Sequence, residues 1–427
     1  MCDIRRHWQQ CRFLMVIIGW ATLGLAITAH AQQPPVQTIP APQQQPAQQA
    51  LPPPPPPSWM QGRPDAMKSS PLVPHADGVV AKPASDIKLD KIKLPPGFSI
   101  ELWATGLPDA RSLAVGAKGT VFVGTRLLDT VYAVVEKDGK REVKALLKGL
   151  NKPNGVVFHN GALYVAEVSR ILRFDAIEDN LNAAAKPVVV FDALPKDEPH
   201  GWKFLTVGPD GMLYFNIGAP CNSCVPPDTH AQIVRVDPKD GVLETVAKGV
   251  RNSVGMAFHP ATKELWFTNN GRDWLGDELP NDTLHRVQRR MTHFGYPYCH
   301  QGDVLDPDFG RGRSCAEFTP PVLKLGAHVA PLGMRFYNGK MFPAEFRNRI
   351  IIANHGSWNK NGKVGFNLTQ VTLDAQGKAT KYEPFAEGWL DGANHWGRPV
   401  DVHIMTDGAL LVSDDFAGAL YRISYKR

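Results

Sequence analysis

The chain has 427 residues, 43% hydrophobic and 21% charged, and its 47 basic and 41 acidic side chains give a formal charge of +6. That composition can bury a large core, and the length alone allows two or three domains. The mild charge, with no basic run in the globular part, argues against nucleic acid as a partner.

In chain order, Arg5, Arg6 and Arg12 lead into an apolar run over residues 13–27, and Ala29 and Ala31 put small residues where a signal peptidase reads. The run is shorter than the roughly 20 residues a spanning helix needs. Residues 1–31 therefore read as a secretory signal cut before Gln32, and the mature protein as periplasmic or secreted, with no integral membrane segment. Residues 32–88 are rich in Pro, Gln and Ala, with six consecutive prolines at 52–57. This composition buries too little apolar surface to offset ordering entropy, so the stretch reads as a disordered, semi-rigid spacer. The globular part is 89–427.

Within it one phrase recurs: a short entry segment, an apolar strand, a turn of Gly, Asp or Asn, then a second apolar strand. It appears at 107–126, 150–167, 200–218, 250–270, 329–355 and 396–415. Third strands are expected at 171–174, 232–236, 364–373 and 419–424. Little reads as helix beyond 176–185. Small antiparallel sheets that cannot bury both faces alone are stacked radially in a β-propeller. Six units in about 340 residues leave roughly 56 each, enough for four strands and loops. The fold class is therefore all-β, a six-bladed β-propeller, with the strand pattern at 98–104 pairing with the last blade to close the ring. A β-sandwich is the competing architecture.

Cys2 and Cys11 leave with the signal, so the mature chain keeps Cys221, Cys224, Cys299 and Cys315. An even count in an exported protein favours disulfides over zinc, and no second CxxC supports a metal site. Three connectivities are open; the local pairs Cys221 with Cys224 and Cys299 with Cys315 are the reading adopted. No CxxCH supports covalent haem.

In a propeller the entries of the innermost strands meet at one end of the central channel. This brings together Arg111, Asn154, His200, Arg251 with Asn252, and Arg398. The exits of the second strands add Arg126, Glu167, Asn270, Gly271, Arg272, His355, Asp414 and Asp415. Arginines bind carboxylates bidentately and stay charged, so the ring, with Lys203 nearby, suits a multiply anionic ligand. A lone histidine, ordinarily titrating near pH 6.5, can act as a general base. The same residues also fit structural roles: loop ties for the arginines, turn formation for Asp414 and Asp415. HExxH, GxSxG and GxxxxGK[ST] are absent.

The segments 94–115, 150–174, 200–224, 249–260, 293–303, 328–343, 353–359, 397–402 and 410–415 together resemble the soluble quinoprotein sugar dehydrogenases that use pyrroloquinoline quinone (PQQ), most closely their sorbosone dehydrogenase-like branch. The resemblance implies a six-bladed propeller with PQQ, a tricarboxylate ortho-quinone, over the channel mouth. By motif, His200 matches the catalytic base, Arg251 and Asn252 match a PQQ-contacting pair, Arg398 matches a carboxylate-binding arginine, and Asn154 joins the cofactor contacts. The carbonyls of Gly271 and Arg272 fall where the family holds Ca²⁺. Three positions depart from the pattern: Pro199 stands where better known members have an Asp before the His, Arg272 replaces a proline, and a PQQ-contacting lysine is left to His355 or Lys203. The activity implied is PQQ- and calcium-dependent oxidation of an aldose or sorbosone-like sugar, with electrons passed to an external acceptor. A calcium-dependent lactonase and a non-catalytic carbohydrate- or protein-binding propeller remain the rival readings.

Overall fold

Each of the six repeated phrases folds into two adjacent antiparallel strands, and each pair founds one sheet. The computed structural model describes residues 57–65, 69–74, 79–183 and 186–426; the expected signal and the first part of the spacer lie outside them. Blade one comprises Leu113–Val115, Val121–Val123, Val131–Lys137 and Lys140–Leu147, and blade two Gly155–His159, Ala162–Ala166, Ile171–Phe174 and Val188–Phe191. Blade three is Leu205–Val207, Leu213–Ile217, Gln232–Val236 and Leu243–Lys248, with Thr292–His293 added in parallel at its edge. Blade four is Met256–Phe258, Leu265–Asn269, Asn281–Val287 and Leu323–Ala327; blade five is Pro331–Phe336, Ile350–Asn354, Asn367–Leu373 and Ala379–Ala386. Blade six joins Pro399–Ile404, Leu410–Asp414 and Ala419–Tyr425 to Phe98–Thr105 from the start of the domain.

This last pairing closes the ring as the sequence suggests, in antiparallel register from Phe98 opposite Tyr425 to Thr105 opposite Ala419. It removes the open edges a linear array would leave. The ring of Phe98 lies against Phe342, Phe346, Phe385 and Tyr425 at 4.7–5.2 Å between centroids, so the closing strand also carries an aromatic plug.

Burial follows position in the blade. The second strands Ala162–Ala166, Leu213–Ile217, Ile350–Asn354 and Leu410–Asp414 are buried along their whole length, whereas the outer strand Lys140–Leu147 is largely exposed. Inner strands are covered on both faces by neighbouring blades, which is why they read as mainly apolar runs, with Asn216, Asn354, Ser413 and Asp414 as buried polar exceptions. Between adjacent sheets the core is continuous: Phe204, Val254, Met256, Phe267, Leu332 and Val400 share one cluster.

The sequence overstates helix at 176–185. The described residues there form only a 3-10 turn, Ile177–Asp179, because Glu178 accepts hydrogen bonds from the Lys118 and Thr120 amides of blade one and Asp179 pairs with Lys118. Tertiary partners outweigh local propensity. Both local disulfides, Cys221–Cys224 and Cys299–Cys315, are made. The second staples the insertion between the third and fourth strands of blade four.

Order begins ahead of residue 89. The Lys82 amide donates to the Ala417 carbonyl at 2.9 Å, Lys82 Nζ donates to the Trp396 carbonyl at 3.0 Å, and Thr105 Oγ1 donates to the Lys82 carbonyl. That part of the proposed spacer is thus fastened to blade six. Among the described residues no helix is long and apolar enough to cross a membrane.

Candidate active site at the channel mouth

The strand entries and exits surround a cavity of about 390 Å³ whose walls include Arg111, Arg126, His200, Arg251, Asn252, Asn270, Gly271, His355 and Arg398. It falls within the size range of small-molecule sites.

His200 stands at the entry to Leu205–Val207 with φ of +51°, in the left-handed region uncommon for residues other than glycine. A Cβ on Gly218 would lie 2.4 Å from the His200 Cβ, so glycine is what lets the exit of the next strand pass this close. The ring Nδ1 lies 2.8 Å from the Ala219 carbonyl oxygen. A carbonyl only accepts, so Nδ1 carries the proton and Nε2 is the basic nitrogen. Nε2 has no protein partner among the described residues. Burial, and then the Arg251 charge, push the imidazole down to about 3, against a smaller upward effect of the Ala219 bond. The ring lines the cavity, and burial with the Arg251 charge keeps it in the neutral form at neutral pH.

Two ion-pair systems fix the arginines. Arg251 donates from Nε to the Asn222 carbonyl at 2.9 Å and from Nη2 to Asn222 Oδ1 at 2.8 Å, and pairs with Asp273 Oδ2 at 3.0 Å. On the other side Asp415 accepts from Arg111 Nη1 at 2.8 Å and from His355 Nε2 at 2.8 Å, while Arg111 Nε donates to Asn154 Oδ1. Burial raises the Asp415 carboxyl, but His355, Arg111 and Arg398 outweigh it and hold the group well below the carboxylate range. Burial, followed by the Arg398 charge, keeps His355 neutral. Arg398 donates to the carbonyls of His355 and Gly356 at 3.1 and 3.2 Å.

Arg126 is different. Its guanidinium lies 5.0 Å over the Trp202 ring, its Nε is buried without a partner, and no carboxylate pairs with it among the described residues. Desolvation and the nearby Arg111 charge lower its basicity. Asn252 Oδ1, also at the cavity wall, is likewise buried and unpartnered. Such groups are costly to leave unsatisfied. Both residues border the cavity.

Several sequence-predicted residues sit elsewhere. Asn154 and Lys203 do not line the cavity: Asn154 Nδ2 donates to the Lys203 carbonyl at 2.7 Å, and Lys203 Nζ turns back onto the Gly201 carbonyl. Burial pushes the Lys203 ammonium down to about 7. Both side chains are spent on bonds within the ring and lie outside the cavity lining. The Arg272 side chain points away, to Asp306 Nη1–Oδ2 at 2.6 Å and to Asp308. Gly271 does line the cavity, its amide bonded to Asp282 Oδ1 at 2.8 Å. Among the described residues the carbonyls of Gly271 and Arg272 accept no hydrogen bond, and no cluster of three His, Cys, Asp or Glu side chains forms a metal site. Asp414 is the turn former, its Oδ1 accepting from the Arg398, Phe416 and Ala417 amides. Asp415 instead bridges Arg111 and His355.

Sequence reasoning placed Arg126 near the mouth but gave it no role, and it missed Asn222, Asp273, Trp202 and Trp358. Asn222 lies between the disulfide-bonded Cys221 and Cys224, and that constrained loop was the available signal.

The model of one protein family, Glucose / Sorbosone dehydrogenase, matches residues 159–422. An uncharacterised protein of Borreliella burgdorferi is 33% identical over 350 residues, covering 79% of this chain and 91% of that one. Among solved structures, the holo PQQ domain of a pyranose dehydrogenase from Coprinopsis cinerea superposes with a TM-score of 0.65 at 19% identity, over 78% of this chain and 97% of that one. The PQQ-bound aldose sugar dehydrogenase of Streptomyces coelicolor gives 0.57 at 18% identity, over 78% and 100%. The apo soluble aldose sugar dehydrogenase of Escherichia coli gives 0.59 at 19%, over 77% and 100%. These likenesses are of fold, and the family match over 159–422 supplies the membership: this chain belongs to the glucose/sorbosone dehydrogenase family.

Proposed function

We propose that this protein is an exported PQQ- and Ca²⁺-dependent dehydrogenase of an aldose or sorbosone-like sugar, with His200 as the general base. The observation that carries the reading is a neutral imidazole, its Nδ1 proton held by Ala219, in a cavity ringed by Arg111, Arg126, Arg251 and Arg398. The Arg126 guanidinium, with no carboxylate partner among the described residues, fits an anionic cofactor better than a bare sugar. When bound, PQQ supplies a two-electron acceptor and Ca²⁺ a polarising charge.

The chain's own residues have definite tasks. Arg251, Arg398 and Arg126 bind and orient carboxylates. Asn252 and His355 add neutral contacts at the wall. The carbonyls of Gly271 and Arg272 are oxygen donors of the kind calcium takes and would be this chain's ligands to it. His200 Nε2 receives the proton of the substrate hydroxyl, and the Ala219 carbonyl stabilises the imidazolium that forms, as the orienting partner of a catalytic histidine does. That carbonyl does the work expected of the missing Asp at Pro199. Export is supported by the leader at 1–31 and by two disulfides, which persist in oxidising compartments.

The test is reconstitution. Purified protein with PQQ and Ca²⁺ should reduce an artificial electron acceptor when given a panel of aldoses. Hydrolysis of lactones without PQQ, and no sugar oxidation with it, would replace this reading with the hydrolase one.

A further inference from the structure

The cavity that holds His200 is not walled by the propeller alone: Trp59 and Pro74, from the chain ahead of the six blades, also line it. Residues around Trp59 are tied to the ring at several points. Trp274 Nε1 donates to the Trp59 carbonyl at 2.6 Å, and the Arg63 guanidinium lies 4.9 Å over the Trp274 ring. The Trp59 ring meets Trp358 edge-on at 6.0 Å between centroids, and Trp358 meets Trp274 at 5.5 Å. Trp274 holds a φ of +70°, a strained position that persists only where the surroundings over-determine it.

The firmest anchor is Gln61. Its Oε1 accepts from the Asn222 amide at 3.0 Å and its carbonyl accepts from Asn222 Nδ2 at 2.7 Å. Asn222 is the residue whose carbonyl and Oδ1 hold Arg251. Gly62, at φ +72°, lets the backbone pass Arg272, since a Cβ there would lie 2.9 Å from Nη2. The same asparagine thus joins this segment to a cavity arginine.

We infer that residues 59–63 form an outer wall of the substrate pocket, and that Trp59, with Trp358, sets the upper size of the sugar that reaches His200. The inference rests on the proposed sugar dehydrogenase activity. Flat indole rings at a pocket rim match the apolar faces of a single sugar ring, and one bulky side chain there obstructs a second ring. The substrate class is therefore monosaccharides, with a disaccharide excluded at the Trp59 wall. Because Gln61 bears on Asn222, the wall also slows departure of the bound cofactor.

The full-length protein and its Trp59→Ala and Gln61→Ala variants are loaded with PQQ and Ca²⁺. Three quantities are read: melting temperature, PQQ dissociation rate by dilution, and kcat/KM for each accepted monosaccharide and for the disaccharide carrying it at the reducing end. Trp59→Ala should raise the disaccharide-to-monosaccharide ratio by roughly tenfold or more, the discrimination one bulky contact gives in a pocket. It should also speed PQQ release. Gln61→Ala keeps the indole but loosens its anchor, so the same changes should appear at smaller size, and this variant carries the test if Trp59→Ala does not fold. An unchanged ratio and release rate in folded variants, with monosaccharide oxidation intact, overturns the wall while leaving the proposed activity standing. Wild type oxidising disaccharides as well as monosaccharides overturns it too. Failure of wild type to take up PQQ removes the proposed activity itself, and this inference with it.

Discussion

His200→Gln separates chemistry from binding in one substitution. A glutamine amide can still donate to the Ala219 carbonyl, but it offers no basic nitrogen in place of Nε2. A general base contributes about 10²- to 10⁴-fold, or roughly 2.7–5.5 kcal/mol of barrier, so turnover should fall by that factor while PQQ uptake changes little. The structure gives a second, independent magnitude. The His200 pKa lies at about 3 in the fold against the ordinary 6.5, so the unfolded chain takes a proton that the fold refuses. The resulting penalty is absent above pH 6.5 and grows by about 1.4 kcal/mol per unit as pH falls towards 3. Between pH 7 and 5 this amounts to about 2 kcal/mol, and to roughly 1–2 once cavity water beside the ring is allowed for. With an unfolding entropy near 0.7 kcal/mol/K for about 340 residues, the variant's drop in Tm on acidification should be smaller than wild type's by roughly 1.5–3 °C. Steady-state dye reduction and thermal melts at pH 7 and 5 read the two effects. Turnover within a few-fold of wild type in PQQ-loaded variant removes His200 from catalysis. An unaltered pH dependence of Tm refutes the buried, neutral imidazole.

Arg126→Met should act with opposite signs: removing an unpaired, desolvated cation should raise the Tm of the apo-protein, while PQQ affinity should fall about tenfold or more on loss of a charge-assisted contact. Melts and cofactor titration check both. Asp415→Asn should cost about 3–5 kcal/mol by leaving Arg111 buried without its counter-charge, a drop of roughly 4–7 °C in Tm that differential scanning calorimetry would read. The whole domain should also be acid-labile. His285 and His403, pushed down to about 3 mainly by burial, join His200 in destabilising the fold below pH 6.5, whereas Asp414, raised to about 6 mainly by burial, opposes them by taking up a proton in the fold first. His293 and His355, also lowered mainly by burial, add to the loss, and Asp282, raised mainly by burial, opposes it with Asp414; denaturant unfolding should therefore show lower stability at pH 5 than at pH 7.

The propeller is legible in the sequence because its inner strands are covered on both faces. Leu213–Ile217 is buried along its length and apolar except at Asn216, whose side chain bonds the Phe204 amide and the Trp202 carbonyl, and the turn Gly208–Gly211 before it marks the repeat. The closing strand is legible from alternation instead: Phe98, Ile100 and Leu102 are partly buried, while Ser99 and Glu101 between them are exposed. The site is legible only to the level of backbone position. His200, Arg251 and Arg398 reach the cavity from strand entries, but Asn154, at the equivalent entry, points into the floor, and Lys203 doubles back on Gly201. Which way a side chain leaves the ring depends on partners in other blades, and those are not written in the local phrase. Composition also misses the described residues 57–65 and 79–88. A Pro- and Gln-rich stretch lacks apolar surface on average, yet Trp59 supplies an indole and Arg63 a cation for the Trp274 ring, both against partners more than 200 residues away.

The account turns on the cavity being a PQQ site, and direct titration tests that most plainly. Calcium-loaded apo-protein titrated with PQQ should perturb the quinone absorbance and saturate at one cofactor per chain, with weaker uptake in Arg251→Ala. No spectral change and no retained cofactor after gel filtration would contradict it.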